Sequence, residues 1–256
     1  MTSTILITGG TGTLGRQVVP LLRGAGRDLR VLSRGSREPG DGVAHVTGDL
    51  LTGEGVEAAV AGAEVVLHLA GGAKGDDVAT RTLAEAAARA GVRHLVYISV
   101  IGADRVPLAW FRAKLAAEQA VEGSGVPWTT LRAAQFHDLV LMTVEKMAKL
   151  PVLPVPGGLR FEPVDAADVA GRLAGLTLGD PAGLVPDLAG PRVYTLGELA
   201  GSYLRARGRR RLRVPVRIPG KPGRAYRAGD NLAAQGADTG SRTWEEFLVE
   251  RTAGGR

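Results

Sequence analysis

Short apolar runs alternate with helix-like amphipathic segments over the first half of the chain. The runs are rich in Val, Leu and Ile, which is typical of strands that are buried on both faces. They predict six strands, at 5–8, 28–34, 43–47, 63–71, 92–100 and 126–133. The segments between them predict helices, some of them closed by glycine, at 13–26, 53–62, 76–91 and 107–125.

This alternation predicts a parallel sheet with helices on both faces. Right-handed crossovers make such a sheet doubly wound, so we expect an α/β Rossmann fold with strand order 3-2-1-4-5-6. After about residue 135 the rhythm loosens, and the pattern predicts helices at 136–150, 164–179, 195–208 and 241–251 and a proline-rich loop at 151–158. Thr195 and Glu198 have the spacing of a capping box. We expect a single domain over 1–256, in which approximately 136–256 contributes a substrate-binding lobe.

The composition is typical of a soluble globular protein, with 45% hydrophobic and 23% charged residues among 256. The N-terminus has no basic segment followed by a long apolar run, so it predicts no signal peptide. No apolar run approaches the length that spans a membrane, and the absence of cysteine excludes disulfides and thiolate chemistry. We therefore expect a cytoplasmic protein, monomeric or homodimeric, with a small-molecule substrate, no metal site and no membrane partner.

A glycine-rich loop, TGGTGTLG at 8–15, follows the first predicted strand and opens the first helix. In a dinucleotide-binding loop, Gly9 permits the tight turn, Gly12 lets the backbone approach the pyrophosphate, and Gly15 lets the helix pack on the strand. The helix N-terminus then supplies amides to the phosphates. The residues expected to contact a dinucleotide here are Gly9, Thr11, Gly12, Thr13, Leu14 and Gly15. The alternative is a glycine-rich turn that binds nothing.

The end of the second predicted strand carries Ser33 and Arg34, with Arg37 nearby. An NAD site places a carboxylate at this strand end, where it binds the ribose 2′-hydroxyl. Arginine instead pairs with a 2′-phosphate through charge-assisted hydrogen bonds. The sequence therefore favours NADP(H), with NAD(H) as the alternative if Arg34 is merely solvated.

The third predicted strand is followed by Gly48, Asp49 and Leu50. At that sheet edge Asp49 can accept a hydrogen bond from an adenine amino group, while the backbone of Leu50 lines the ring. Asp49 could equally cap the short helix that follows.

Further segments match one family in the same order along the chain. They are ITGGTGTLG (7–15), SR (33–34), GDL (48–50), HLAG (68–71), LVYISVIGAD (95–104), FRAKLAAEQ (111–119) and EPVDAADVA (162–170). On these residues the chain resembles a short-chain dehydrogenase/reductase, and more narrowly the atypical branch with NmrA-like and isoflavone-reductase-like members.

The resemblance implies a Rossmann fold that holds NAD(P)H. Ser99 would face the substrate carbonyl, and Lys114 would hydrogen-bond the nicotinamide ribose. The residues that the resemblance places around the cofactor after the first three strands are Leu69, Ala70, Gly71, Ser99, Lys114, Ala134 and Phe136.

The family has a tyrosine four residues before the lysine, and this chain has Trp110. The tyrosine protonates the alkoxide that forms on hydride transfer, whereas an indole N–H does not ionise usefully. Three interpretations stay open. The substrate needs little acid help, as a quinone or extended aromatic ketone does; another donor acts, such as His137, Ser99 or a lysine-held water; or the protein senses nucleotide without turnover. We favour an NADPH-dependent reductase of a carbonyl or quinone on an aromatic or polyketide-like small molecule.

A basic stretch between 205 and 227 carries ten cations and no acid in a chain of net charge +6. Within it, LRVPVRI (212–218) alternates apolar and basic residues, which predicts a half-buried strand with a solvated face. Such a stretch attracts anions, either nucleic acid or an acidic substrate. Tyr226 is the only aromatic residue in it, so no stacking platform is evident, and we do not expect nucleic-acid binding.

Overall fold

The apolar runs of the first half form parallel strands. In the computed structural model, which describes residues 4–35, 42–72 and 74–253, they are β1 (Thr4–Thr8), β2 (Asp28–Ser33), β3 (Val43–Thr47), β4 (Val65–His68), β5 (His94–Val100) and β6 (Trp128–Ala133). Their order is β3-β2-β1-β4-β5-β6, so the predicted Rossmann order is confirmed. Ile5 of β1 lies opposite Leu29 on one side and Val65 on the other, both in parallel register.

The helices follow the predicted positions closely, with one addition. Within the described residues they are α1 (Gly15–Gly24), α2 (Val56–Val60), α3 (Asp76–Arg89), α4 (Ala109–Glu122), α5 (His137–Met147), α6 (Ala166–Leu178), α7 (Leu196–Ala206), α8 (Gly220–Ala228) and α9 (Trp244–Ala253). The remaining strands are β7 (Val152–Pro156), β8 (Arg160–Phe161), β9 (Gly183–Leu184), β10 (Leu188–Ala189), β11 (Tyr194–Thr195), β12 (Leu212–Val216) and β13 (Asp238–Thr239). None of the helices described is both long and apolar enough to cross a bilayer.

The chain divides into two units by its internal contacts. The first comprises Met1–Ser99, Arg112–Arg132 and Val169–Val185. The second comprises Val100–Phe111, Ala133–Asp168 and Pro186–Arg256. The chain passes between them several times, so the units are interleaved in sequence.

The core of the first unit lies between the sheet and the helices that cover it. Leu6, Val66 and Tyr97 of the strands pack with Leu83 of α3 and Val121 of α4, and all five are fully buried. The strands are largely apolar on both faces, as a covered parallel sheet requires, and polar side chains near their carboxyl ends, such as His68, adjoin the connecting loops. The sheet thereby holds these loops on a rigid base.

The second unit has a helical core of its own. Val144 of α5, Leu153 of β7 and Tyr203 of α7 pack with Trp244 and Phe247 of α9. The predicted capping box is confirmed at the start of α7, where the Thr195 hydroxyl accepts from the Glu198 amide and the Glu198 carboxylate accepts from the Thr195 amide. Such a cap stabilises a helix by about 1 kcal/mol.

One prediction for the second half was wrong, and one helix was not predicted. The segment predicted as a proline-rich loop forms β7, whose hydrogen-bonding partner β12 lies far along the chain and is invisible to a local pattern. The helix α8 was missed because Gly220, Pro222 and Gly223 read as helix breakers. Pro222 is tolerated there because it lies in the first turn, where its missing N–H has no helical partner.

Candidate functional site

A cavity of about 430 Å³ opens in the first unit at the carboxyl ends of β1 to β4. This is the edge at which doubly wound sheets bind ligands, and the volume is that of a small-molecule site. Of the residues predicted to hold a dinucleotide, those that line the cavity are Gly9, Thr11, Gly12, Ser33, Arg34, Asp49, Leu50, Leu69, Ala70 and Gly71. The fold therefore collects four separate sequence segments around one space.

The three glycines of the loop meet different surroundings. A Cβ on Gly9 would lie 2.6 Å from the Ala70 amide nitrogen, and one on Gly15 would lie 2.4 Å from the Gly10 Cα. A Cβ on Gly12 would meet only the Gly9 carbonyl, at 3.3 Å, so this residue faces the cavity. Gly9 and Gly15 are therefore required for close backbone packing, whereas Gly12 leaves its backbone accessible to a ligand.

The helix N-terminus beside the cavity has free backbone donors. Since α1 begins at Gly15, Thr13 and Leu14 immediately precede the helix. Their amides have no hydrogen-bond partner among the residues described here. Thr13 is exposed, whereas the Leu14 side chain is buried, so Leu14 offers only its backbone. Amides of this kind bind phosphate oxygens.

The charge at the end of β2 is positive. Arg34 is exposed at the cavity wall, and Ser33 turns its hydroxyl to the Gly35 carbonyl at 2.7 Å. Arg37, the third residue predicted here, lies outside the described residues. No carboxylate follows β2 directly, and the acids that line the cavity are Asp49 and Asp76. This end of the cavity suits a 2′-phosphate better than a free ribose.

The alternative role for Asp49 as a helix cap was wrong. The helix α2 begins at Val56 and has Gly55 at its N-cap position, with no side-chain cap. Asp49 instead accepts a hydrogen bond from the Leu51 amide at 2.8 Å, which closes its own turn. The carboxylate remains at the cavity wall.

A buried ion pair joins Lys114 of α4 to Asp76 of α3. Lys114 Nζ lies 2.7 Å from Asp76 Oδ2, and the two side chains are 7% and 4% exposed. Asp76 Oδ1 accepts from the Gly72 amide at 2.8 Å, and Asp76 itself lines the cavity. A Cβ placed on Gly71 would lie 3.3 Å from Lys114 Nζ. The ammonium group is therefore held against the loop that follows β4, beside the cavity.

Asp76 is the residue that the sequence analysis missed. The pattern predicted only that a helix begins at residue 76, where an aspartate is an ordinary start signal. The available signal was its position, because Asp76 follows the end of β4 by a short glycine-rich loop. Residues at the carboxyl ends of parallel strands converge on the ligand edge of the sheet.

A buried polar network surrounds this ion pair. Lys114 Nζ also donates to the Tyr97 hydroxyl at 3.3 Å, and the His68 ring stacks on Tyr97 with centroids 5.3 Å apart. His68 bonds Thr8 Oγ1 at 2.6 Å and Thr80 Oγ1 at 3.0 Å. Burial, and secondarily the charge of Lys114, lowers the pKa of His68 to about 3. Burial raises the pKa of Tyr97, so this phenol is a poor proton donor despite its position beside the lysine.

Ser99, at the end of β5, has its proton engaged. Its Oγ donates to Glu118 Oε1 at 2.5 Å, and the serine is 1% exposed. Glu118 is in turn held by Arg132 through two contacts, of 2.9 and 2.6 Å. The hydroxyl thus belongs to a buried Ser–Glu–Arg chain, which fixes its orientation and leaves its oxygen only as an acceptor.

Trp110 belongs to the second unit, although it lies on the same helix as Lys114. Its ring packs edge-on against Phe111 at 5.0 Å and joins an apolar cluster that includes Val106 and Tyr226. The side chain is half-buried. Its surroundings are those of a packing residue, and its own indole N–H does not ionise usefully.

The other predicted residues after β6 also lie in the second unit. Ala134 is buried and donates its amide to Leu188, and Phe136 is the N-cap residue of α5. His137 is fully buried, with ring centroids 5.0 Å from Phe247 and 5.9 Å from Trp244.

The surroundings of His137 do not support a role as proton donor. Burial lowers its pKa, an effect opposed by the Asp165 carboxylate and the Pro163 carbonyl. Neither ring nitrogen makes a hydrogen bond of good geometry within the described residues. A neutral, fully buried ring has no proton to deliver at neutral pH, so the catalytic role of His137 stays a prediction without support from its geometry.

Comparison with known proteins accounts for this arrangement. Residues 9–170, well over half of the chain, match a family model described as NAD(P)H-binding. The chain belongs to the NAD(P)H-binding family.

Two curated members of related sequence are reductases. The (4-alkanoyl-5-oxo-2,5-dihydrofuran-3-yl)methyl phosphate reductase of Streptomyces griseus subsp. griseus is 32% identical over 212 residues, which cover 80% of this chain and 74% of the relative. The NAD(P)H azoreductase of Xenophilus azovorans is 29% identical over 212 residues, which also cover 80% of this chain and 74% of the relative. The resemblance to atypical short-chain reductases is thereby confirmed.

Among solved structures, the fold is shared with an NADPH-dependent quinone oxidoreductase from Escherichia coli in complex with NADPH. The TM-score is 0.78 at 21% identity, covering 96% of this chain and 99% of the other. The matched family binds NAD(P)H, and the cavity of the first unit is lined by the glycine loop, Arg34 and the strand-end residues that could hold it.

Proposed function

We propose that this NAD(P)H-dependent oxidoreductase uses NADPH to reduce a carbonyl or quinone group on a small aromatic or polyketide-like molecule. It does so without a catalytic tyrosine. The observation that carries the proposal is the buried Lys114–Asp76 pair beside the cavity, in a helix that has Trp110 where the phenol would stand. Compared with the family pattern, the chain has the lysine, Lys114, but has Trp110 in place of the acidic tyrosine.

The chain's own residues divide the work of holding the cofactor. Gly12 and the amides of Thr13 and Leu14 would receive the pyrophosphate, and Arg34 the 2′-phosphate. Asp49 would accept from the adenine amino group. The bound nicotinamide nucleotide supplies the hydride. Arg34 is the basis for proposing NADPH over NADH, since it pairs with a phosphate that NADH lacks.

Lys114 would act as a fixed cation. Asp76 holds its ammonium at 2.7 Å and removes its freedom to turn away, while the Tyr97 hydroxyl supports it from the side. A cation fixed in a buried site acts more strongly on a developing negative charge than one in water, and it needs no reorganisation during the reaction. This role requires position and charge, and no proton transfer.

Neither Ser99 nor Tyr97 is an available acid, and the proposed substrate class follows from this. The proton of Ser99 is donated to Glu118, and Tyr97 has a raised pKa and is fully buried. An ordinary ketone needs its alkoxide protonated as hydride arrives, whereas a quinone or extended aromatic ketone spreads the charge over its own oxygen atoms and ring. Such substrates can take the proton from water afterwards. The reductase names of both curated relatives agree with reduction as the reaction.

A non-catalytic nucleotide sensor is the second candidate. The same observation favours it, because neither Ser99 nor His137 has a proton available to a substrate. A sensor would keep the NADPH site and need no acid at all.

The deciding experiment is NADPH oxidation at 340 nm against a panel of quinones and aromatic ketones, with NADPH binding followed separately by fluorescence. Wild-type turnover that is lost in Lys114→Met, while NADPH still binds, supports the proposed reductase. NADPH binding without turnover on any member of the panel favours the sensor. Failure to bind either nucleotide contradicts both candidates.

A further inference from the structure

The two-stranded sheet of the second unit exposes an apolar face. β12 pairs in parallel with β7, so that Leu212 lies opposite Val152, Val214 opposite Pro154 and Val216 opposite Pro156. Residues that are paired in register project from the same side of a sheet. One face of this sheet is therefore apolar at all six positions.

This face is turned to solvent. Leu212 is 68% exposed, Val214 40% and Val216 38%, and Val152 of the partner strand is 38% exposed. On the opposite side of β7, Leu153 is fully buried in the helical core, whereas every residue of β12 is exposed. The sequence analysis expected the apolar side of 212–218 to be buried and the basic side to be solvated. That expectation was wrong for the apolar side, because the core already has Leu153 and the helix α7 on the inner face.

Cations lie in the segments that flank the exposed face in sequence. Arg209, Arg210 and Arg211 immediately precede β12, and Arg217 follows it. Lys221 and Arg224 lie on α8, and Lys149 precedes β7. Leu150, next to Lys149, adds an apolar side chain that is 45% exposed. No carboxylate pairs with Arg209, Arg210, Arg217, Lys221 or Arg224 within the described residues. We call Val152, Leu212, Val214, Val216 and these flanking cations the basic–apolar face.

We propose that the basic–apolar face docks the protein on an anionic lipid bilayer, in a peripheral and reversible manner. Peripheral binding combines apolar side chains that enter the headgroup region with cations that meet anionic lipids, and the basic–apolar face has an exposed apolar side together with cations in the segments that flank its strands. The sequence analysis expected no membrane partner because no segment could span one. A surface association needs no spanning segment, so the absence of a spanning helix and this proposal are compatible.

Charge and composition argue for a bilayer over other occupants. A second copy would bring the same unpaired cations to the face, and like charges oppose such pairing. The phosphates of nucleic acid would pair with the cations but would leave Leu212 and Val214 without an apolar partner. Binding of single strands also relies on aromatic stacking. Tyr226, the aromatic residue of the stretch, instead packs against Phe161 and Phe111. The inference does not depend on the proposed reductase activity.

The test is co-sedimentation of the full chain with vesicles of phosphatidylcholine alone or mixed equally with phosphatidylglycerol. We expect sedimentation with the anionic vesicles only, and its reduction at high salt. Leu212→Ser/Val214→Ser should weaken the association about tenfold or more, because two apolar side chains no longer enter the interface. Arg209→Gln/Arg210→Gln should weaken it by a similar factor, since each cation near an anionic surface contributes about fivefold.

Matched controls lie elsewhere on the surface. Val249 has the same exposed fraction as Leu212, 68%, so Val249→Ser should leave sedimentation unchanged. The pair Arg81→Gln/Arg112→Gln removes two exposed cations outside the face. Circular dichroism of each variant checks that it is folded.

Three results overturn the proposal: no sedimentation of the wild type, equal sedimentation of wild type and face variants, or loss in the arginine variant alone. The last would reduce the effect to simple charge attraction without an apolar contact. Filter retention of DNA or RNA without vesicle binding also overturns it, in favour of nucleic acid.

Discussion

At the scale of single residues, the chemistry of the candidate site depends on a buried cation and its partner. Lys114 and Asp76 are 2.7 Å apart and almost fully buried. Removing one member of such a pair leaves the other charged and unpaired in the interior, which costs about 3–5 kcal/mol. The pair is therefore a structural constraint as well as a candidate catalytic element, and a test must separate the two roles.

A double-mutant cycle makes this separation. Asp76→Asn should lower the free energy of unfolding by about 3 kcal/mol, because Lys114 is left unpaired. The double variant Asp76→Asn/Lys114→Met removes both charges and should recover much of this loss. Urea unfolding measures stability, and NADPH oxidation measures turnover. Stability should recover in the double variant while turnover stays absent; recovery of both would contradict a catalytic role for Lys114.

Cofactor preference should depend on Arg34. In Arg34→Glu a carboxylate faces the position of the 2′-phosphate, so the kcat/KM ratio of NADPH to NADH should fall by about 10- to 100-fold. Steady-state kinetics with each nucleotide measures this ratio. The control is Arg81→Glu, an exposed arginine of α3 that does not line the cavity, and it should leave the ratio unchanged. An unchanged ratio in Arg34→Glu would remove the reason for assigning NADPH.

At the scale of elements, the glycine loop shows how one strand–helix connection builds a site. Gly9 has a φ of 70° and no room for a side chain, because the loop after β4 passes directly against it. That contact brings Ala70 next to the phosphate loop and places two strand ends at one wall of the cavity. The glycine thus couples two elements that are far apart in sequence.

This coupling can be tested with a matched glycine. Gly26 has a φ of 73° but nothing within 4 Å of its Cβ position. Gly26→Ala should therefore cost only the left-handed backbone strain, about 1–2 kcal/mol. Gly9→Ala adds a clash with the backbone of Leu69 and Ala70, and should lower stability further and abolish NADPH binding. Equal melting temperatures and retained binding in the two variants would contradict the packing role.

At the scale of the whole molecule, charge is distributed very unevenly. The ten cations of the basic stretch exceed the chain's net charge of +6, so the rest of the chain carries a net negative charge.

Buried histidines make the stability of the molecule depend on pH. Burial lowers the pKa of His68, His94 and His137 below the ordinary value, so these rings are neutral in the folded protein.

Stability should therefore fall on mild acidification. The unfolded state takes up protons on these histidines below about pH 6.5, whereas the folded state takes them up only at lower pH, so the stability that they contribute is complete above pH 6.5 and is lost as the pH falls. His68, with its pKa lowered to about 3, remains neutral throughout the range of pH 6 to 4. Its contribution alone is about 1.4 kcal/mol per pH unit. Urea unfolding of wild type and His68→Gln at several pH values measures it, and identical pH slopes would contradict the assignment.

Local sequence patterns are sufficient to predict the first half of the fold. Buried parallel strands need continuous apolar runs, and glycines in a fixed spacing are required by a phosphate loop, so both leave a local pattern. Strand order, the loop at Gly9 to Gly15, Arg34 at the end of β2 and the cavity position of Asp49 could all be anticipated from such patterns. The family resemblance rested on the same local segments.

Contacts between side chains, in contrast, depend on how distant segments pack together. Asp76 and Lys114 form an ion pair between two helices. Ser99 donates its hydrogen bond to Glu118, a partner that no spacing rule connects to it. The burial of His137 depends on α9, and the exposure of Leu212 depends on Leu153 filling the other side of the sheet. Periodicity records which face of an element is apolar. Whether that face is covered depends on contacts between segments that are distant in sequence. A local pattern does not contain this information.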